Sequence, residues 1–273
     1  MMVKMPPIIY GTAWKKDCTR QLVLKALRAG FRGIDTACQP RHYREELVGA
    51  GVADALAEGV IRSRSEVYLQ TKFTPLSGQD PASCPYDKRA TVEEQVSESV
   101  ATSLKNLRTD YIDALILHSP LASHTETLRA WRQMEKHVAA GDVCSLGISN
   151  CYDVSALASL FAASHVKPKV VQNRFYADSG YDQEVRRFCS ENCVTYQSFW
   201  TLTANKKLLS TSSAVGDPAE RHNCTREQAW LAFVRALGCV PLSGTTTELH
   251  MAQDLELPEL TDAEVKRLSK LIS

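Results

Sequence analysis

Short β-rich runs alternate with amphipathic helical runs along the whole chain, and this alternation restricts the fold more than any other feature. "PIIYGTAW", "FRGIDTA", "EVYLQTKF", "DALILHS", "VCSLGISN", "KVVQNRF", "VTYQSFW" and "CVPLSG" read as strands. Helical patterns separate them. "TRQLVLKALRAG" carries Leu22, Ala26 and Ala29 at helical spacing and a stop at Gly30. A helix is expected from Arg44 to Glu58. "TVEEQVSESVATSLKNL" opens on the capping-box spacing of Thr91 and Glu94. "ETLRAWRQMEKHVAAG" stops at Gly141, and "DVSALASLFAASH", "DQEVRRFCSEN" and "TREQAWLAFVRALG" follow before two short terminal helices.

Strands joined by crossover helices pair in parallel, because a parallel pair needs a long connection. The alternation therefore predicts the α/β class: a closed (β/α)8 TIM barrel forming one domain over residues 1–273. Within it a short N-terminal segment and no long C-terminal loop are expected. The competing open, doubly wound sheet lacks a Gly-x-Gly-x-x-Gly turn after any strand. Two stretches, "PLSGQDPASCPYDK" and "NKKLLSTSSAVGDPAERHN", read as long irregular loops on the C-terminal face of the barrel.

Charge excludes several functions. Lys and Arg total 32 against 31 Asp and Glu, which leaves no electrostatic footprint for nucleic acid or an anionic membrane. No run approaches the roughly 18 apolar residues of a membrane span. The nine cysteines are scattered without Cys-x-x-Cys spacing, as in a reduced cytoplasmic protein, and no metal is expected. Cys189 and Cys193 stand four apart, but two ligands alone do not make a zinc site.

In such a barrel, chemistry sits where strands end. Asp35 ends the second strand, Lys72 the third, His118 the fourth, Ser149 and Asn150 the fifth, and Gln172 and Asn173 the sixth. Tyr43 lies in the loop after the second. Each has a plain structural reading: Asp35 as a turn cap, Lys72 as an exposed strand-end lysine, His118 as a bonded core histidine, Ser149 or Asn150 as a helix cap. Together they suggest more. A lysine after the apolar "VYLQT" enters low dielectric, where an unpaired charge is costly, and Asp35 is its natural partner. A lysine about 4 Å from Tyr43, at an effective dielectric of ~20, would stabilise the phenolate by about 4 kcal/mol. The expectation is thus a tyrosine of lowered pKa serving as a proton donor, with His118 orienting a carbonyl oxygen.

These motifs resemble the aldo-keto reductase family. "GIDTA", "HYREE", "LQTKF" and "LILHSP" are similar to the segments carrying that family's Asp–Tyr–Lys–His tetrad, and "GISN", "VVQN" and "YQSFW" to its nicotinamide-holding segments. The resemblance spans about residues 8 to 272. It implies reversible reduction of aldehydes or ketones by a nicotinamide cofactor bound without a Rossmann domain. Asp35, Tyr43, Lys72 and His118 would be catalytic. Thr12, Ser149, Asn150, Gln172, Phe199, Leu202, Ser243, Gly244, Thr245, Thr246, His250 and Asp254 would contact cofactor, and Trp14, Phe73 and Trp200 would line the substrate pocket. "CQPRH" makes the loop before Tyr43 about three residues longer than is usual in the family. Gly244 and His250 stand where many members grip the 2′-phosphate with lysine and arginine. The resemblance still favours NADP(H), but the missing cations weaken discrimination against NAD(H), which is also possible. The expected partner is a small-molecule carbonyl substrate, and the expected state a monomer. A non-catalytic nucleotide-binding barrel, and a Schiff-base enzyme using Lys72, are the alternatives.

Overall fold

The computed structural model describes residues 4–272. Eight parallel strands close into one barrel in sequence order: β1 (Ile9–Gly11), β2 (Gly33–Asp35), β3 (Tyr68–Phe73), β4 (Ala114–Leu117), β5 (Leu146–Ser149), β6 (Val170–Arg174), β7 (Thr195–Phe199) and β8 (Val240–Ser243). Closure is made by β8 on β1, with Ile9 opposite Leu242 and Tyr10 opposite Ser243. Around the barrel lie α1 (Thr19–Ala29), α2 (Glu45–Ala57), α3 (Val92–Leu107), α4 (His124–Ala140), α5 (Val154–Ala163) and α6 (Gln183–Glu191). The set is completed by α7 (Lys206–Thr211), α8 (Ser213–Arg221), α9 (Arg226–Ala236), α10 (Glu248–Leu255) and α11 (Asp262–Ser269). Among the described residues no helix is long and apolar enough to cross a membrane.

Local chemistry sets the helix ends. Gly30 takes the left-handed conformation (φ 116°) and returns its N–H to Ala26 and Leu27 carbonyls, closing α1. Thr91 and Glu94 form the capping box of α3, and Thr225 and Gln228 that of α9. Asp153 caps α5, so neither Ser149 nor Asn150 is needed there.

One stretch read as loop is not. Residues 206–221 form α7 and α8, whose Leu209, Val215 and Ala219 are buried. Serine, glycine and proline lower the helical signal there, and tertiary burial of the apolar stripe overrides it.

The interior of the barrel is layered. Ile9, Tyr68, Ala114, Ile116 and Val170 form its apolar floor, with Met5, Val240 and Leu242 packed against them. Two residues further along their strands, the inward positions of β3, β6 and β7 are glutamines: Gln70, Gln172 and Gln197. The larger apolar core lies between the outer face of the sheet and the helices.

Candidate active site

Above the floor, the end of β2 meets the end of β3. The Lys72 Nζ donates to both carboxylate oxygens of Asp35, at 2.6 and 2.7 Å, and to the Thr36 carbonyl at 2.8 Å. An ammonium has three protons, and all three are used. The pair is almost fully buried. Burial lowers the Lys72 pKa, and the Asp35 charge opposes that shift. Asp35 Oδ1 also accepts from Gln70 Nε2 at 2.6 Å and from Gln172 Nε2 at 2.9 Å. Gln197 links these glutamines, accepting from both and donating back to Gln70. Thr12 bonds the Asp35 carbonyl through backbone and hydroxyl, tying β1 to this corner.

The longer loop delivers Tyr43 because it is stapled along its length. Cys38 N–H bonds the Lys72 carbonyl, Gln79 Nε2 bonds the Cys38 carbonyl, and Gln39 Nε2 bonds the Gly78 carbonyl. His42 and Tyr43 fold back onto the Gln39 carbonyl, and the His42 ring stacks on Trp14 at 4.0 Å between centroids. Immediately downstream, Glu45 is buried and accepts from Thr71 Oγ1 at 2.5 Å and Asn106 Nδ2 at 3.2 Å, pinning the start of α2 to β3 and α3. Gly49 lets α2 approach α3: a Cβ there would stand 2.1 Å from the Asn106 carbonyl.

Tyr43 lies with its ring centroid 5.1 Å from Lys72 Nζ and 6.1 Å from the His118 ring. Its acidity differs from the expectation. With every Lys72 proton engaged elsewhere, burial and then the Asp35 charge push the phenol well above its ordinary value. His118 is pushed down to about 3, first by burial and then by the Lys72 charge, so its ring is neutral at neutral pH. Its Nδ1 lies 2.6 Å from Thr74 Oγ1. Asn150 Nδ2 holds the His118 carbonyl at 2.8 Å.

Ser149 Oγ donates to the Gln172 carbonyl at 2.6 Å and accepts from Asn150, which adopts φ 51°. Gln172 spends both amide protons on Asp35 and Gln197, and among the described residues no donor reaches its Oε1. Phe199 faces Arg174 across the β6–β7 register. Leu202 packs against the outer core. At the end of β8, Ser243 Oγ donates to the buried Asp254 at 2.5 Å, while Gly244, Thr246 and His250 are exposed. The Thr245 carbonyl accepts from Tyr10 OH at 2.8 Å. Lys15, which sequence reasoning missed, donates from its ammonium to the Gly244 carbonyl. A loop lysine gives no local signal, and only closure of β8 on β1 brings it to this segment.

Of the expected pocket residues, Trp14 and Trp200 are exposed at the C-terminal face. Phe73 is not in the pocket. It is fully buried and packs on Tyr86 at 5.8 Å between centroids. Strand alternation explains the correction: Lys72 points inward, so its neighbour points toward the helices.

The aldo/keto reductase family model matches residues 7–273. The chain is 26% identical over 299 residues to the glycerol 2-dehydrogenase (NADP(+)) of Hypocrea jecorina, covering 98% of this chain and 89% of that protein. An aldo-keto reductase from a deep-sea metagenome library superposes with a TM-score of 0.82 at 25% identity, over 98% of this chain and 92% of that one. A Bombyx mori aldo-keto reductase in complex with NADP shares the fold with a TM-score of 0.81 at 23% identity, over 97% and 89%. The chain belongs to the aldo/keto reductase family, a family of oxidoreductases.

Proposed function

We propose that the protein is an NAD(P)H-dependent reductase of aldehydes or ketones with Tyr43 as proton donor. The observation that carries this reading is the convergence of Asp35, Lys72, Tyr43 and His118 from β2, its loop, β3 and the end of β4. When bound, a reduced nicotinamide supplies hydride to the carbonyl carbon. The neutral His118 ring donates a hydrogen bond to the carbonyl oxygen and orients it. Tyr43 stays protonated at neutral pH and gives its proton to the developing alkoxide, a stronger base than phenolate. The Lys72 ammonium near the ring favours the phenolate left behind, and Asp35 keeps that ammonium charged and fixed. A Schiff-base role is disfavoured, since it needs a free neutral amine and Lys72 donates three hydrogen bonds.

The residues present fit a nicotinamide dinucleotide. Gln172 Oε1, which no donor among the described residues reaches, is an acceptor for a carboxamide, with Ser149 and Asn150 beside it. Phe199 offers a ring face to the nicotinamide. The Lys15 ammonium and the segment 244–250, exposed except at Thr245, offer a cation and polar groups to phosphate. NADP(H) is favoured, in keeping with the cofactor named for the Hypocrea jecorina relative. Tyr43→Phe should lower kcat/KM for a reactive aldehyde about 10²–10⁴-fold. NADPH affinity should be unchanged, as measured by cofactor fluorescence. Near-full turnover by that variant would refute Tyr43 as the donor.

A further inference from the structure

Arg174 is the last residue of β6, and its guanidinium is held by aromatic rings alone. Its Cζ lies 4.1 Å from the centre of the Trp200 ring, 5.1 Å from Tyr176 and 5.9 Å from Phe199. Among the described residues no carboxylate stands within ion-pair distance of it. Its Nε is buried without a hydrogen-bond partner. Among the described residues its two terminal nitrogens have no hydrogen-bond partner either, and the residue is half-buried. Arg20, Arg28, Arg64, Arg129 and Arg132 all close on carboxylates, while Arg41, Arg89, Arg108, Arg187 and Arg235 project into water. Arg174 does neither.

Its position gives this a use. Val170 lies in the barrel floor, Gln172 bonds Asp35 inside the barrel, and strand alternation puts Arg174 on the same inward face. It stands two residues, roughly 6–7 Å, beyond Gln172 toward the mouth. A half-buried guanidinium with no carboxylate partner among the described residues, set 4.1 Å from an indole centroid, keeps N–H groups that can meet an anion. We propose that Arg174 binds an anionic group of the substrate, so that the preferred substrates are carbonyl compounds bearing a carboxylate or phosphate. This rests on the reductase reading above. A dinucleotide phosphate offers the same anionic oxygens, so the test must separate the two sources.

The comparison uses 4-carboxybenzaldehyde and its methyl ester, which share a ring and a carbonyl and differ in charge. For the unaltered protein, kcat/KM is expected to be at least about tenfold higher for the acid. Arg174→Gln should reduce that ratio to within about twofold. Ester reduction and NADPH affinity should each stay within about twofold, and Arg174→Lys should restore part of the preference. Equal rates for acid and ester in the unaltered protein would overturn the inference and leave the reductase reading standing. Parallel loss on both substrates, or a tenfold weaker NADPH affinity in Arg174→Gln with an intact melting temperature, would also overturn it. If neither aldehyde is turned over, the reductase reading fails; calorimetry with benzoate and methyl benzoate on the NADP-loaded protein then decides the anion site, and equal affinity would refute it.

Discussion

The Asp35–Lys72 corner and the 243–250 segment are both polar, but they are held in opposite ways. In the corner, each Lys72 proton and both Asp35 oxygens are engaged inside the protein, and the glutamines around them bond one another. On the rim, Gly244, Thr246 and His250 are exposed, and the segment is tied down through carbonyls that accept from Tyr10 and Lys15. The corner's polar groups are satisfied by one another. The rim's own N–H groups bond nearby hydroxyls, Thr245 to Ser243, Thr247 to Thr245 and His250 to Thr247.

The largest test of that contrast is Lys72→Met, which strands the buried Asp35 carboxylate. Stability should fall by about 3–5 kcal/mol in chemical denaturation, and reduction should be lost. Pairing it with Asp35→Asn should recover much of the stability and none of the activity. Recovery of activity would mean that the pair serves folding alone.

Next, Gln70→Leu removes one Asp35 donor and both of its bonds with Gln197. A loss of about 1–3 kcal/mol is expected, with a lower kcat at unchanged KM. A neutral result would show that the glutamine layer is packing only.

A third test uses pH. The native His118 pKa lies near 3, below the ordinary value of 6.5. The unfolded state therefore binds more protons between those values. The sign follows: His118 costs nothing above pH 6.5, and its contribution makes stability fall as pH drops from 6.5 toward 3. His118→Asn should shallow that decline in denaturation midpoints taken at pH 7 and 5. An unchanged slope would place the protonation elsewhere.

The smallest effect belongs to the rim. Lys15→Ala should weaken NADPH binding about tenfold, roughly 1.4 kcal/mol, with kcat and melting temperature little changed. A large stability loss instead would make Lys15 a structural tie between β1 and β8.

Much of this was legible locally. "LQTKF" betrays itself, because a lysine inside an apolar strand demands a counter-charge, and Asp35 on the adjoining strand supplies it. The same segment also misled: Phe73 follows Lys72, and the period of two that turns the lysine inward sends the phenylalanine outward. Gln70 and Gln197 carry a signal of their own, a polar residue at an inward strand position. Lys15 had none.

By itself, the sequence determined the alternation, the barrel and which polar residues end the strands. These depend on near neighbours, periodicity and caps. Only the tertiary structure decided that "CQPRH" folds back on Gln39 to set Tyr43 beside Lys72, that α7 and α8 replace a loop, and that no carboxylate among the described residues pairs with Arg174. It also reversed the expected shift of Tyr43. Sequence proximity can suggest a cation near a phenol, but desolvation and the competing carboxylate act through space and depend on how the barrel closes.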